Sequence, residues 1–228
     1  KNTIKLGFTL AAILITLAII AVIAVITLPS LVSKTNKAEN VVALKKAYAT
    51  LSQVFYRITA DNGGIQNILN GATTNEDFAN VFIPKLNVAK NCGTFASKST
   101  LCFANEMHTL LNGNNWQNLG NDGASTILTS DGMSYRFGLS DANCAQDWSL
   151  AGNASSPFYN SGCGFIGVDI NGPNKGPARM GRDIFFFMVT KKGVYPEGAL
   201  PDKWPADDCS TNGWNCAGKV LFEGAINY

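Results

Sequence analysis

The chain has 228 residues, of which 46% are hydrophobic and 15% charged, with a formal net charge of +2. That length suits one large domain or two small ones, and so small a charge gives no ground for a nucleic-acid partner. The near balance hides an asymmetry: residues 1–60 hold seven Lys or Arg and one Glu, whereas residues 61–228 hold eleven Lys or Arg and fifteen Asp or Glu. A basic first part and an acidic remainder suit either pairing between copies or two separately solvated surfaces.

From Phe8 to Ser33 no residue is charged, and Phe8 to Leu28 is a run of 21 residues dominated by Leu, Ile, Val and Ala. At about 1.5 Å per residue such a helix crosses the ~30 Å hydrocarbon core of a bilayer. Lys1 and Lys5 precede it, so the positive-inside tendency keeps the N-terminus cytoplasmic and sends the chain beyond Pro29 outward. The run is longer than the apolar region of a secretory signal peptide and continues as helix. Beyond Pro29, Val41, Leu44, Tyr48, Leu51, Phe55 and Ile58 recur at steps of three and four, the period of an amphipathic helix. Asp61-Asn62-Gly63-Gly64 stops it. Residues 8–60 therefore read as one helix on the order of 80 Å long, transmembrane over 8–28 and kinked at Pro29.

Residues 61–228 read as a globular head. Thr74-Asn75-Glu76-Asp77 has the form of a capping box ahead of Phe78, Val81, Phe82 and Leu86, which predicts a short helix before Cys92. Thr126–Thr129 and Met133–Phe137 flank Ser130-Asp131-Gly132 as the arms of a hairpin. Ile184–Thr190 is a further strand with its turn at Lys191-Lys192-Gly193, and Lys219–Phe222 with Ala225–Tyr228 reads as a closing hairpin. An antiparallel sheet packed on the outer half of the long helix gives an α+β head.

All six cysteines, Cys92, Cys102, Cys144, Cys163, Cys209 and Cys216, lie beyond the apolar run. Their even number there favours disulfides in an oxidising compartment. Zinc is the rival, but no pair has close C-x2-C spacing and His108 is the single histidine. Of the ~15 possible connectivities, proximity in sequence suggests Cys92–Cys102, Cys144–Cys163 and Cys209–Cys216.

Several motifs touch on chemistry. Gly162-Cys163-Gly164-Phe165-Ile166-Gly167 matches the dinucleotide-binding pattern, but Val168-Asp169-Ile170-Asn171-Gly172-Pro173 opens no helix after it, so a turn beside a disulfide accounts better for the glycines. Asp169, Asn171 and Asp183 bracket a Gly/Pro-rich loop, where such side chains more often cap turns; they also offer the oxygen ligands that calcium prefers, although not at EF-hand spacing. His108 lies near Glu106 without a nucleophile motif and reads as a surface histidine by a loop. Trp116, Trp148, Trp204 and Trp214 sit among polar residues, either packing and covering disulfides or forming an exposed adhesive surface. No catalytic constellation stands out, so no enzyme and no resident cofactor are expected.

Gly7-Phe8-Thr9-Leu10, directly after a short basic leader and before the apolar run, resembles the prepilin peptidase site of type IV pilins and type II secretion pseudopilins. Leu14-Ile15-Thr16-Leu17 and Ile26-Thr27-Leu28-Pro29-Ser30-Leu31 are similar to the stalk of that family. Val168–Pro173, Gly181–Phe185 and Cys216–Tyr228 are more loosely similar to its heads. The resemblance implies a leader over 1–7, cleavage between Gly7 and Phe8, N-methylation of Phe8, and an exported pilin head over 61–228. It further implies a single-pass protein of the bacterial inner membrane that enters a periplasmic or cell-surface filament. Its partners would be other pilin subunits, prepilin peptidase, the inner-membrane assembly machinery and, before assembly, lipid. One residue departs from the pattern: the family usually has Glu at the fifth position from the processed phenylalanine, where this chain has Ala12, so a pairing of that acid with a neighbour's N-terminal amine is lost. That departure suits a minor or tip subunit, a filament built by apolar packing alone, or a tethered ligand-binding protein that does not polymerise.

Overall fold

The computed structural model describes residues 10–94, 102–103, 108–116, 123–147, 161–199 and 208–228. The chain divides into two units, Lys1–Glu39 and Asn40–Tyr228, and helix α1 (Leu10–Asn62) contributes to both. Helical structure is continuous through Pro29 and ends where Gly63 and Gly64 take positive φ values of 70° and 138°. Gly63-Gly64 thus terminates the helix by backbone conformation that other residues rarely adopt.

In the second unit, α2 (Ile65–Leu69) and α3 (Asn75–Phe82) follow, then six strands: β1 (Val88–Thr94), β2 (Ser125–Thr129), β3 (Ser134–Leu139), β4 (Gly162–Asp169), β5 (Ile184–Thr190) and β6 (Val194–Pro196). A last helix, α4 (Cys216–Glu223), succeeds a π-helical turn at Asp208–Asn212. The strands form one antiparallel sheet in the order β1-β2-β3-β4-β5-β6, a meander. The architecture is α+β.

Register assigns the two faces of the sheet. Ile127, Tyr135, Val168 and Phe185 stand opposite one another on one face, joined there by Phe137, Ile166 and Phe187. These residues share a core with Val41, Leu44, Leu51, Phe55 and Ile58 of α1, all 5% exposed or less. Tyr48 completes the stripe by stacking on Phe187 with ring centroids 5.9 Å apart. Full burial of each large apolar side chain contributes roughly 1.5–3 kcal/mol, so the 3.6-residue period of this part of α1 is the register of its contact with the sheet. Helix α3 begins with the capping box: Thr74 Oγ1 accepts from Asp77 N at 3.0 Å, and Asp77 Oδ2 accepts from Thr74 N at 2.9 Å. It buries Phe78 and Phe82 against Phe137.

The opposite face is also covered. Phe186 and Ile184 pack with Phe103, Ala178 and Met180, and Phe165, Trp116 and Trp214 border this smaller cluster. Burial on both faces explains why Ile-Phe-Phe-Phe-Met-Val in β5 is an unbroken apolar run.

Two expectations fail. The 219–228 segment is not a hairpin: α4 covers residues through Glu223, with Cys216, Ala217 and Val220 buried and Gly224 closing it in the left-handed region at φ 66°. The spacing of Ala217 and Val220 is helical, and Gly224 is its stop. The glycines of residues 162–167 are not a turn either but belong to strand β4. A Cβ at Gly164 would collide with Gly138 O and lie 2.9 Å from the Phe78 ring; at Gly167 it would lie 2.8 Å from Arg136 Cγ and 2.9 Å from Phe186 Cε1. Gly164 makes room for α3 on one face and Gly167 for the Arg136 stem on the other.

Candidate functional site

Three features of the chain bear on function. The first is the start of α1. Leu10–Thr27 is the one helical segment among the described residues long and apolar enough to cross a membrane. Its large side chains are exposed throughout, Leu10 at 76% and Ile26 at 70%. The two threonines in it satisfy their hydroxyls internally, Thr16 Oγ1 donating to Ile13 O and Thr27 Oγ1 to Ile23 O, each at 2.9 Å. That arrangement leaves no side-chain donor seeking water, as a lipid-facing helix requires. Gly7 and Phe8, the proposed processing site, lie outside the described residues.

The second is the set of disulfides. Cys92–Cys102, Cys144–Cys163 and Cys209–Cys216 are bonded, with Cα atoms 6.1, 3.9 and 4.7 Å apart. They fasten β1 to the segment at 102–103, the loop after β3 to β4, and the π-helical turn to the start of α4. Each closes a short loop, the kind of cross-link that typically contributes about 2–4 kcal/mol.

The third is the loop between β4 and β5, where Asp169, Asn171 and Asp183 converge. Asp169 ends β4 and Asp183 immediately precedes β5, and both are 0% exposed. Asp183 accepts from Ala178 N at 2.9 Å through Oδ2 and from Arg179 N through Oδ1. Asp169 Oδ1 accepts from Gly172 N at 3.1 Å and Asn171 N at 3.3 Å. Asn171 Nδ2 lies 3.4 Å from Asp183 Oδ2. Burial pushes the Asp169 carboxyl well above its ordinary range, and repulsion by Asp183 adds to it. Burial likewise raises Asp183, opposed by the bonds from the Arg179 and Ala178 amides. Among the described residues no three His, Cys, Asp or Glu side chains cluster as metal ligands. The two carboxylates cap the turns of this loop through its backbone amides, while Asp169 Oδ2 and Asn171 Oδ1 are buried and have no hydrogen-bond partner.

His108 is not a surface residue. It is 2% exposed, on the outer face of the sheet beside Phe103, with neither ring nitrogen hydrogen-bonded. Burial and the nearby Arg136 charge depress its pKa to about 4, so it is neutral at pH 7. Trp116 and Trp214 are half-buried, packed edge to face at 5.0 Å, with Trp214 also on Phe186 at 4.3 Å; Glu106, Trp148 and Trp204 lie outside the described residues. A pocket of about 650 Å³ opens beside the start of α3, lined in part by Thr73, Thr74, Asn75, Thr94, Ser140 and Asp141. The sequence does not reveal it, because it joins residues from four separated stretches of chain.

Comparison with protein-family models, with curated proteins and with solved structures gives no match to this chain.

Proposed function

We propose that this protein is a structural subunit of a type IV pilus-like or type II secretion pseudopilus-like filament. In this reading prepilin peptidase cuts between Gly7 and Phe8, residues 8–28 hold the subunit in the inner membrane, and the same helix then packs among those of other subunits. Its activity is assembly rather than turnover. The observation that carries the reading is a single helix, α1, whose first part exposes apolar side chains from Leu10 to Ile26 and whose last part is built into a disulfide-bonded sheet. Water is a poor solvent for the first part, so lipid or like helices must cover it. The N-terminal sequence supports the choice of family, and Ala12 leaves no acid for a buried ion pair, which suits a minor or tip subunit or association by apolar packing alone.

The test is coexpression with a prepilin peptidase followed by N-terminal sequencing. The expected product begins with N-methylated Phe8; an unprocessed start refutes the assignment. Filaments sheared from cells then report assembly, and Ala12→Glu should increase incorporation where the missing acid limits it. The pocket beside α3 favours a second reading, a membrane-tethered protein that binds a small polar ligand. Processing at Phe8 with no filament under any assembly system would favour that alternative.

A further inference from the structure

Residues 108–116 lie as a strap over the outer face of the sheet. Thr109 N donates to Ala178 O at 3.1 Å and Met180 N to Thr109 O at 2.9 Å, while Leu111 N and Asn112 N donate to Asn212 O and Thr211 O at 3.2 and 2.9 Å. The strap thus joins the loops at 178–180 and 211–212, and its Leu110 and Trp116 pack on the outer cluster that holds Phe103 and Phe186. Its inward end is His108, which is 2% exposed, with its ring centroid 5.6 Å from that of Phe103.

Packing alone fixes that ring. Neither nitrogen has a hydrogen-bond partner, so no acceptor is in place to stabilise an added proton. The charge that acts on it is Arg136 of β3, 1% exposed on the same face, with its guanidinium 5.6 Å from the Phe165 ring centroid. In the 178–180 loop the charged side chain is Arg179, which lies beside Gly113 of the strap. Asp183 faces the Ala178 and Arg179 amides of that loop, and residues 109–116 carry no charge.

We propose that segment 108–116 is an acid-released strap: when His108 takes a proton from solvent, the imidazolium leaves its place beside Arg136 and the strap lifts, uncovering Phe186 and Trp214 while the sheet stays closed. A buried imidazolium with no acceptor and a cation for a neighbour is an unpaired buried charge, which is costly to keep. The strap is held at its margins by a few main-chain bonds, so it opens at lower free energy than the strands beneath it. The direction follows from linkage. The closed-state pKa of about 4 lies below the ordinary 6.5, so the open strap binds the proton more tightly and gains population as pH falls. Its opening constant should rise about 20-fold from pH 7 to pH 5 and about 100-fold by pH 4. Asp169 and Asp183 have raised values, so acid favours their buried state and does not loosen the β4–β5 loop through them. The strap belongs to the second unit, and its release does not depend on filament assembly.

The test uses the full chain in detergent. His108 is the single histidine, so its imidazole gives one assignable proton resonance, which should titrate with a midpoint of about 4. Hydrogen exchange between pH 7 and pH 4, corrected for intrinsic amide rates, should accelerate by the factors above in residues 109–116 and at Met180, while strand β5 keeps its protection. His108→Leu should remove the acid dependence of strap exchange. A His108 midpoint near 6.5, strap exchange that acid does not accelerate, equal acceleration in β5, or an acid response that persists in His108→Leu overturns the proposal. The first three outcomes are read on the unaltered protein and do not require the variant to fold.

Discussion

Lys46 of α1 and Asp131 of the β2–β3 turn meet at 2.8 Å, tying the helix to the hairpin that it covers. Partial burial pushes the Asp131 carboxyl up, but the bonds from Lys46 Nζ and Thr129 Oγ1 and the Lys46 charge more than offset this, so its pKa is lowered. A carboxyl with a depressed folded-state pKa contributes stability above its unfolded pKa of about 4 and loses it as pH falls through the folded value. Both partners are partly exposed, 55% and 32%, so Lys46→Ala should cost no more than about 1 kcal/mol. Denaturant unfolding at pH 7 and pH 3 checks both statements: the variant's deficit should shrink at the lower pH.

Removing the bare backbone of β4 should be far more harmful. Gly164→Ala places a methyl against Gly138 O, a backbone atom fixed in the adjacent strand, whereas Gly167→Ala meets a flexible arginine stem and a ring edge. Overpacking of this kind costs about 1–3 kcal/mol, with Gly164→Ala the greater, and thermal unfolding ranks the two.

Phe78 is fully buried and touches the rings of Phe82 and Phe137 at 5.3 and 6.5 Å. Phe78→Ala should destabilise the head by about 3–5 kcal/mol, with loss of near-ultraviolet circular dichroism before the far-ultraviolet signal.

His108 carries a pH dependence of its own. Its folded-state pKa of about 4 lies below the ordinary value of 6.5, so the unfolded chain takes up a proton that the folded one refuses. Stability from this residue is intact above about pH 6.5 and declines as pH falls toward 4. Asp169 and Asp183 act in the other sense: with raised folded-state values, their contribution falls as pH rises above the carboxylate range. His108→Leu should flatten the profile between pH 6.5 and pH 4, as followed by urea midpoints.

Much of the head could be read from local pattern. The stripe from Val41 to Ile58, the Thr74 capping box and the hairpin around Asp131 each rest on periodicity or turn chemistry within a few residues, and the cysteines pair with their neighbours in sequence. What escaped depends on distant partners. Strand β4 carries glycines because Phe78, Arg136 and Phe186 occupy the missing side-chain space, and nothing near residue 164 records that. Helix α4 reads as a strand in Lys219–Phe222 until Ala217 and Gly224 are considered with it. At the acidic loop, Asp169, Asn171 and Asp183 are visible as loop oxygens, but nothing local records that both carboxylates are fully buried.

The meander has a consequence for how the head comes together. Each strand pairs with the one before it in the chain, so the sheet can zip from β1 to β6 without a crossover, the long closures being residues 95–124 and 140–161. The stripe on α1 completes its contacts late, because the core it shares runs on from Ile65 to Ile226. Until that helix docks, Leu44, Leu51 and Phe55 remain open to water or to the wrong neighbour.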